Sequence, residues 1–149
     1  MKKSLKTMLL AFVALLCFVN MTCENDDDSN GYMGDCDQNT VVDSDTYKNL
    51  ETDRFTIISA EITGDCLNLE IGASGCDGST WRFSLVDSGA VAESFPEQRY
   101  LKLQLLNEEL CDAYFTKTIS FDLTPLRVSG SNEIILHIEG LETSLNYKY

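Results

Sequence analysis

The sequence predicts an all-β fold, a single immunoglobulin-like β-sandwich of about seven antiparallel strands over residues 54–149. Three observations predict it. Apolar and polar residues alternate with period two through most of this region, the pattern of strands with one buried face. Clusters of Gly, Asp, Asn, Ser and Pro separate the alternating runs and read as turns. No segment carries a convincing helical period, and seven short strands in about 95 residues match the size and rhythm of an immunoglobulin-like domain.

The first strand, Phe55 to Thr63, changes phase from odd inward positions (Phe55, Ile57) to even ones (Ile58, Ala60, Ile62), which predicts a bulge. Leu67, Leu69 and Ile71 share the inward face of the second. Trp81, Phe83 and Leu85 repeat the pattern, as do Leu101, Leu103 and Leu105. The longest run places Phe115, Ile119, Phe121 and Leu123 inward, against Tyr114, Thr116, Thr118, Ser120 and Asp122 outward. Only Lys117 breaks that inward row, as a bend or a rim position would. Ile134, Leu136 and Ile138 form the sixth run, and Leu145, Tyr147 and Tyr149 the last. A domain of this size buries a little over ~60% of its unfolded surface, so covalent cross-links would help it.

Upstream, residues 23–53 read as an acidic stalk that becomes ordered from about Cys36, with Val41-Val42 as a short strand. Residues 1–22 read as an export signal. Lys2, Lys3 and Lys6 give a positive start, no acidic residue precedes Glu24, and Met8 to Val19 are all apolar. That run is too short to span a bilayer, which takes ~20 residues. Cys23 closes the signal and opens the run Glu24-Asn25-Asp26-Asp27-Asp28. This junction resembles the lipidation site of bacterial lipoproteins, although Asn20 and Thr22 stand where that family prefers Leu or Val and a small residue. The acidic run resembles the surface-export signal of lipoproteins from the Bacteroidota. The resemblance implies diacylglyceryl attachment at Cys23, a membrane anchor, and a place in the cell envelope, on the outer membrane and facing outward. A non-lipidated secretory signal is the alternative. The whole layout resembles small surface lipoproteins of the Bacteroidota, and that resemblance implies no activity.

Without the three leader lysines, eight basic residues face twenty-four acidic ones, a net charge of −16. Such a chain repels phosphate backbones, so nucleic acid is excluded as a partner. Cys36, Cys66, Cys76 and Cys111 are an even number in an exported chain and read as disulfides. If successive strands alternate in direction, Cys76 and Cys111 fall at one end of the sandwich and Cys66 at the other. This predicts Cys76–Cys111 and Cys36–Cys66.

Enzyme readings fail on inventory, and no cofactor is expected. His137 is the only histidine, and the alternation points it outward. No carboxylate pair sits in an apolar setting that would raise one pKa, as a hydrolase acid needs. Gly72, Gly75 and Gly78 read as a turn, since no helix follows them to cradle phosphate. Asp77, Glu108, Glu109 and Asp112 fall in two loops at one end and form a weak calcium candidate, with solvated charge as the plainer reading. The expected function is a non-enzymatic binding or structural module that meets a protein or glycan at the cell surface. A small-ligand or calcium-binding lipoprotein and a carboxylate hydrolase are the alternatives. The longest connection, Asp87 to Gln98, carries Val91 and Phe95. The sequence favours Phe95 as a plug for an open end of the sandwich; an exposed anchor for a partner is the competing account.

Overall fold

Nine strands form two sheets in the computed structural model, which describes residues 35–149. The signal, Cys23 and the acidic run Glu24–Asp28 lie outside the described residues. One sheet has the order β1 (Gln38–Asn39), β7 (Ala113–Asp122), β4 (Cys66–Gly75), β3 (Thr56–Thr63). The other has the order β2 (Val41–Val42), β5 (Arg82–Asp87), β6 (Glu97–Leu106), β8 (Glu133–Ile138), β9 (Leu145–Lys148). The seven expected strands are all present, and β1 and β2 join them from within the segment read as stalk.

The inward rows hold. Leu67, Leu69, Ile71, Phe83, Leu85, Leu101, Leu103, Leu105, Phe121, Ile134, Leu136, Ile138 and Tyr147 belong to one apolar cluster drawn from both sheets. Each alternating residue that leaves water for this core contributes roughly 1.5–3 kcal/mol, which is why period two alone fixes the facing of each strand. The bulge in β3 also holds: Ile57 pairs with Ile71, Ser59 with Glu70, and Ile58 is the extra residue. Ile58 was expected inward; as the bulge's unpaired residue it turns out and is exposed.

The exclusively antiparallel arrangement does not hold. Strands β6 and β8 pair in parallel, as do β1 with β7 and β2 with β5. The chain alternates direction, so β6 and β8 run the same way; β7 lies in the other sheet and leaves them side by side. The immunoglobulin order is not reproduced either. Lettered A to G from β3 to β9, the long strands form sheets E-B-A and C-D-F-G, with the fourth between third and sixth rather than beside the fifth.

A helix, α1 (Ser44–Asn49), was not expected from the sequence. Six residues are too few to show a period, but its cap is a legible one: the Asp43 carboxylate accepts the Thr46 N–H at 2.6 Å. The helix leads from the edge of β5 to Thr52 and Asp53, which bond Leu105 of β6. On the way Tyr47 comes to lie under the Lys102 ammonium, 4.6 Å from its ring centre.

Both predicted disulfides are present, Cys36–Cys66 with Cα atoms 5.5 Å apart and Cys76–Cys111 with Cα atoms 4.9 Å apart. They clasp opposite ends, called lower (Cys66) and upper (Cys76) below. The lower end is closed by a short 3-10 turn, Thr124–Leu126, whose Leu126 is fully buried along with Leu123. Asp65 holds that closure. It accepts the Tyr147 hydroxyl at 2.6 Å and the Arg127 guanidinium at 2.6 Å, while its backbone oxygen takes the Leu123 N–H. The Tyr147 and Arg127 bonds hold the Asp65 carboxyl below its ordinary pKa. Burial, with the Asp65 bond, pushes Tyr147 up to about 12. Arg99 and Asp87 form a separate ion pair at 2.8 Å within the sandwich, their side chains 9% and 0% exposed. Burial pushes the Asp87 carboxyl up, against the Gly89 N–H bond and the Arg99 charge that favour its ionised form.

Candidate partner-binding site

The loop between β5 and β6 is where the structure departs most from its expected role. Phe95 is 96% exposed, so it plugs nothing. The reason is Leu126: the 3-10 turn already closes the lower end, and the apolar contact that Phe95 was expected to make is taken. Val91 is also partly exposed.

An exposed aromatic is informative when its backbone is held, and this one is. Ala92 and Gln98 form a two-way bridge, with N–H to carbonyl distances of 3.0 and 3.4 Å. Within that turn the Ser94 N–H donates to the Ala92 carbonyl at 2.9 Å. Side chains then lock it from outside. His137 Nε2 donates to Gln98 Oε1 at 2.7 Å, Gln98 Nε2 donates to Ser94 Oγ at 3.1 Å, and Ser94 Oγ donates to the Pro96 carbonyl at 2.5 Å. This is a continuous chain of donors and acceptors from β8 to the base of the Phe95 turn, and such chains reinforce each bond in them. The peptide bond between Phe95 and Pro96 is cis. Farther down the loop, Gly89 adopts φ +74, which a side chain would strain, and donates its N–H to Asp87 Oδ1 at 2.8 Å.

His137 lies on the outward face, as expected, stacked on Tyr100 with ring centres 5.0 Å apart. Tyr100 is 42% exposed. Gln98, His137 and Tyr100 thus form one connected strip of the outer face, and the hydrogen-bond chain ties it to the backbone of the turn that carries Phe95. Val91 and Phe95 were legible as apolar residues in a long loop. Gln98, Tyr100 and His137 were not, because the parallel register Tyr100↔His137 that assembles them cannot be read from local sequence.

The carboxylates of the calcium candidate do not converge. Glu109 Oε2 accepts the N–H groups of Cys76, Asp77 and Gly78 at 2.5, 3.2 and 3.0 Å, and Oε1 accepts that of Thr80 at 3.3 Å. Burial raises the Glu109 pKa, and these four backbone bonds outweigh it and pull the value down to about 2. Glu108 turns away to Arg82 at 2.7 Å, and Asp77 accepts the N–H of Ser79 at 2.8 Å. Among the described residues no three His, Cys, Asp or Glu side chains converge as a metal site would require. Gly72 and Gly75 belong to β4 rather than to the turn, and only Gly78, at φ +72, serves it as expected. A Cβ at Gly75 would collide with the Glu109 carboxylate, so the missing side chain is what admits it.

No protein-family model matches the sequence, and no curated protein matches it either. Solved structures resemble the fold. A protein of unknown function, DUF1344, from Bacteroides vulgatus is similar at 16% identity and TM-score 0.51, covering 75% of this chain and 56% of that one. A NigD-like immunity protein from Bacteroides caccae is similar at 15% identity and TM-score 0.54, covering 74% of this chain and 58% of that one. This chain therefore spans less than two thirds of the length of either neighbour, and the likeness is one of fold.

Proposed function

We propose that the chain is an exported lipoprotein, anchored through Cys23, whose β-domain acts without catalysis by binding another protein at the cell surface through the loop that carries Phe95. The observation that carries the reading is a fully solvated aromatic on a turn fixed by its own hydrogen bonds. Rigid aromatics presented this way lose little conformational freedom on binding and serve as anchors at the centre of interfaces. The neighbour named as an immunity protein supports a non-enzymatic role, and an immunity role for this chain would be exercised through such a contact. A photo-crosslinking residue at Val91 in intact cells tests the reading. It captures one protein, and Phe95→Ser in the same chain removes that capture. Capture that survives Phe95→Ser, or no capture at all, would falsify it.

A further inference from the structure

The upper half of β7 is an open strand edge, and it lies at the opposite end from the Phe95 loop. Strand β1 pairs with β7 only at Phe121 and Asp122. One step above, the Ser120 N–H is taken by the Asp37 carboxylate at 2.8 Å. Backbone groups along a strand point to its two sides in alternation, so the N–H and C=O of Thr118, Thr116 and Tyr114 point the same way as those of Ser120. Among the described residues no strand pairs with them there. Strand β4 satisfies the other side throughout.

The side chains around this edge are those of an unfinished sheet. Phe115 occupies an inward position yet remains 37% exposed, and Tyr114 is 59% exposed with its ring laid over Gly72. Lys117 also points inward, where its ammonium reaches the Gly78 carbonyl at 3.2 Å. Leu110 is 97% exposed just before the strand, fixed between the Glu109 carboxylate in its loop and the Cys111 disulfide.

We propose that the edge Tyr114–Thr118 receives one extended segment of another polypeptide as an added strand, with an apolar residue covering Phe115 and an acidic residue facing Lys117. Main-chain bonds to Tyr114, Thr116 and Thr118 supply the attachment, and the two inward side chains supply the selection. Charge fixes the kind of occupant. A cation at an inward position of an edge strand resists pairing with a second copy of itself. Two-fold pairing about Thr116 would set the two Lys117 residues diagonally across the new strand pair, their Cα atoms about 7–8 Å apart on the inward face, between chains that each carry −13. A segment with a carboxylate at that place meets no such penalty.

The probe is a capped peptide that alternates threonine with valine, glutamate and valine, titrated into the protein by amide NMR with hydrogen exchange. Before addition, the amides of Tyr114, Thr116 and Thr118 exchange quickly. On addition their signals shift and exchange slows, and Lys117→Glu weakens the binding by about tenfold. Thr116→Pro abolishes it, since proline on an outer edge removes only the N–H that faces the partner. The same peptide, N-methylated at its pairing amides, leaves the spectrum of the unaltered protein unchanged, which tests the mode of binding whatever the proline variant does. Slow exchange at these three amides before any peptide is added, from the chain's own residues or a second copy, overturns the proposal. So does equal binding of the N-methylated peptide.

Discussion

Strand β7 is two different strands joined end to end. Ile119, Ser120 and Phe121 are buried, at 8%, 8% and 0% exposure, whereas Ala113 to Thr118 are all exposed. The alternation that places Phe121 inward places Phe115 inward as well, so local pattern does not distinguish them. What distinguishes them is chain from elsewhere. Residues 36–39 cross to the lower half through the Cys36–Cys66 bond, the Asp37–Ser120 contacts and the β1 ladder. The Thr124–Leu126 turn then closes the end. Nothing comparable reaches the upper half among the described residues. Burial at this edge is thus set by which distant segment arrives, and facing by the residue itself.

The widest gap that this difference predicts lies between two phenylalanines in one row. Phe121→Ala should lower stability by about 3–5 kcal/mol, the usual range for a buried aromatic cut to alanine. Phe115→Ala should cost about 1 kcal/mol, because much of its ring already meets water. Urea unfolding of both variants measures the gap, and equal losses would mean that the two halves of β7 are packed alike. Next comes the closing turn. Leu126→Ala should cost about 2–5 kcal/mol and should loosen the lower end first, read as faster amide exchange at Leu123 and Tyr147.

A smaller effect follows from Asp65. Its folded pKa lies below the unfolded value, so the bonds to Tyr147 and Arg127 add stability that is fully present above the unfolded pKa, about 3.8. That contribution is lost as pH falls through the folded pKa. Asp65→Asn should therefore be less stable at neutral pH and should lose less on acidification than the parent, as melting curves between about pH 2 and 7 would show. A parallel acid profile in both proteins would mean that this carboxylate does not hold the closure.

The sequence made strand facing legible because facing is a local property with period two. The inward rows and the β3 bulge follow from it, and the two ends that the disulfides clasp follow from successive strands alternating in direction. Pairing was not legible. The parallel contacts of β6 with β8, and of β1 and β2 with strands far along the chain, depend on which sheet each strand enters after a turn. The same gap explains Phe95. Leu126 follows Pro125 with only Val128 after it in the same phase, a run too short to mark a lid, so the aromatic in the long loop was the more visible plug. At the upper end, carboxylates in two loops looked like weak metal ligands and Gly75 like part of a turn; only the folded chain shows its missing Cβ admitting the Glu109 carboxylate against backbone N–H groups.

The smallest expected effect on stability is the most informative about function. Leu126, and not Phe95, closes the lower end, which leaves Phe95 free to meet a partner. Urea unfolding of Phe95→Ser at neutral pH tests this directly. The stability should be almost unchanged, within about 0.5 kcal/mol of the parent, as for surface substitutions in general. A loss of about 3–5 kcal/mol, the signature of a large side chain removed from a core, would contradict it and return Phe95 to the role of a plug.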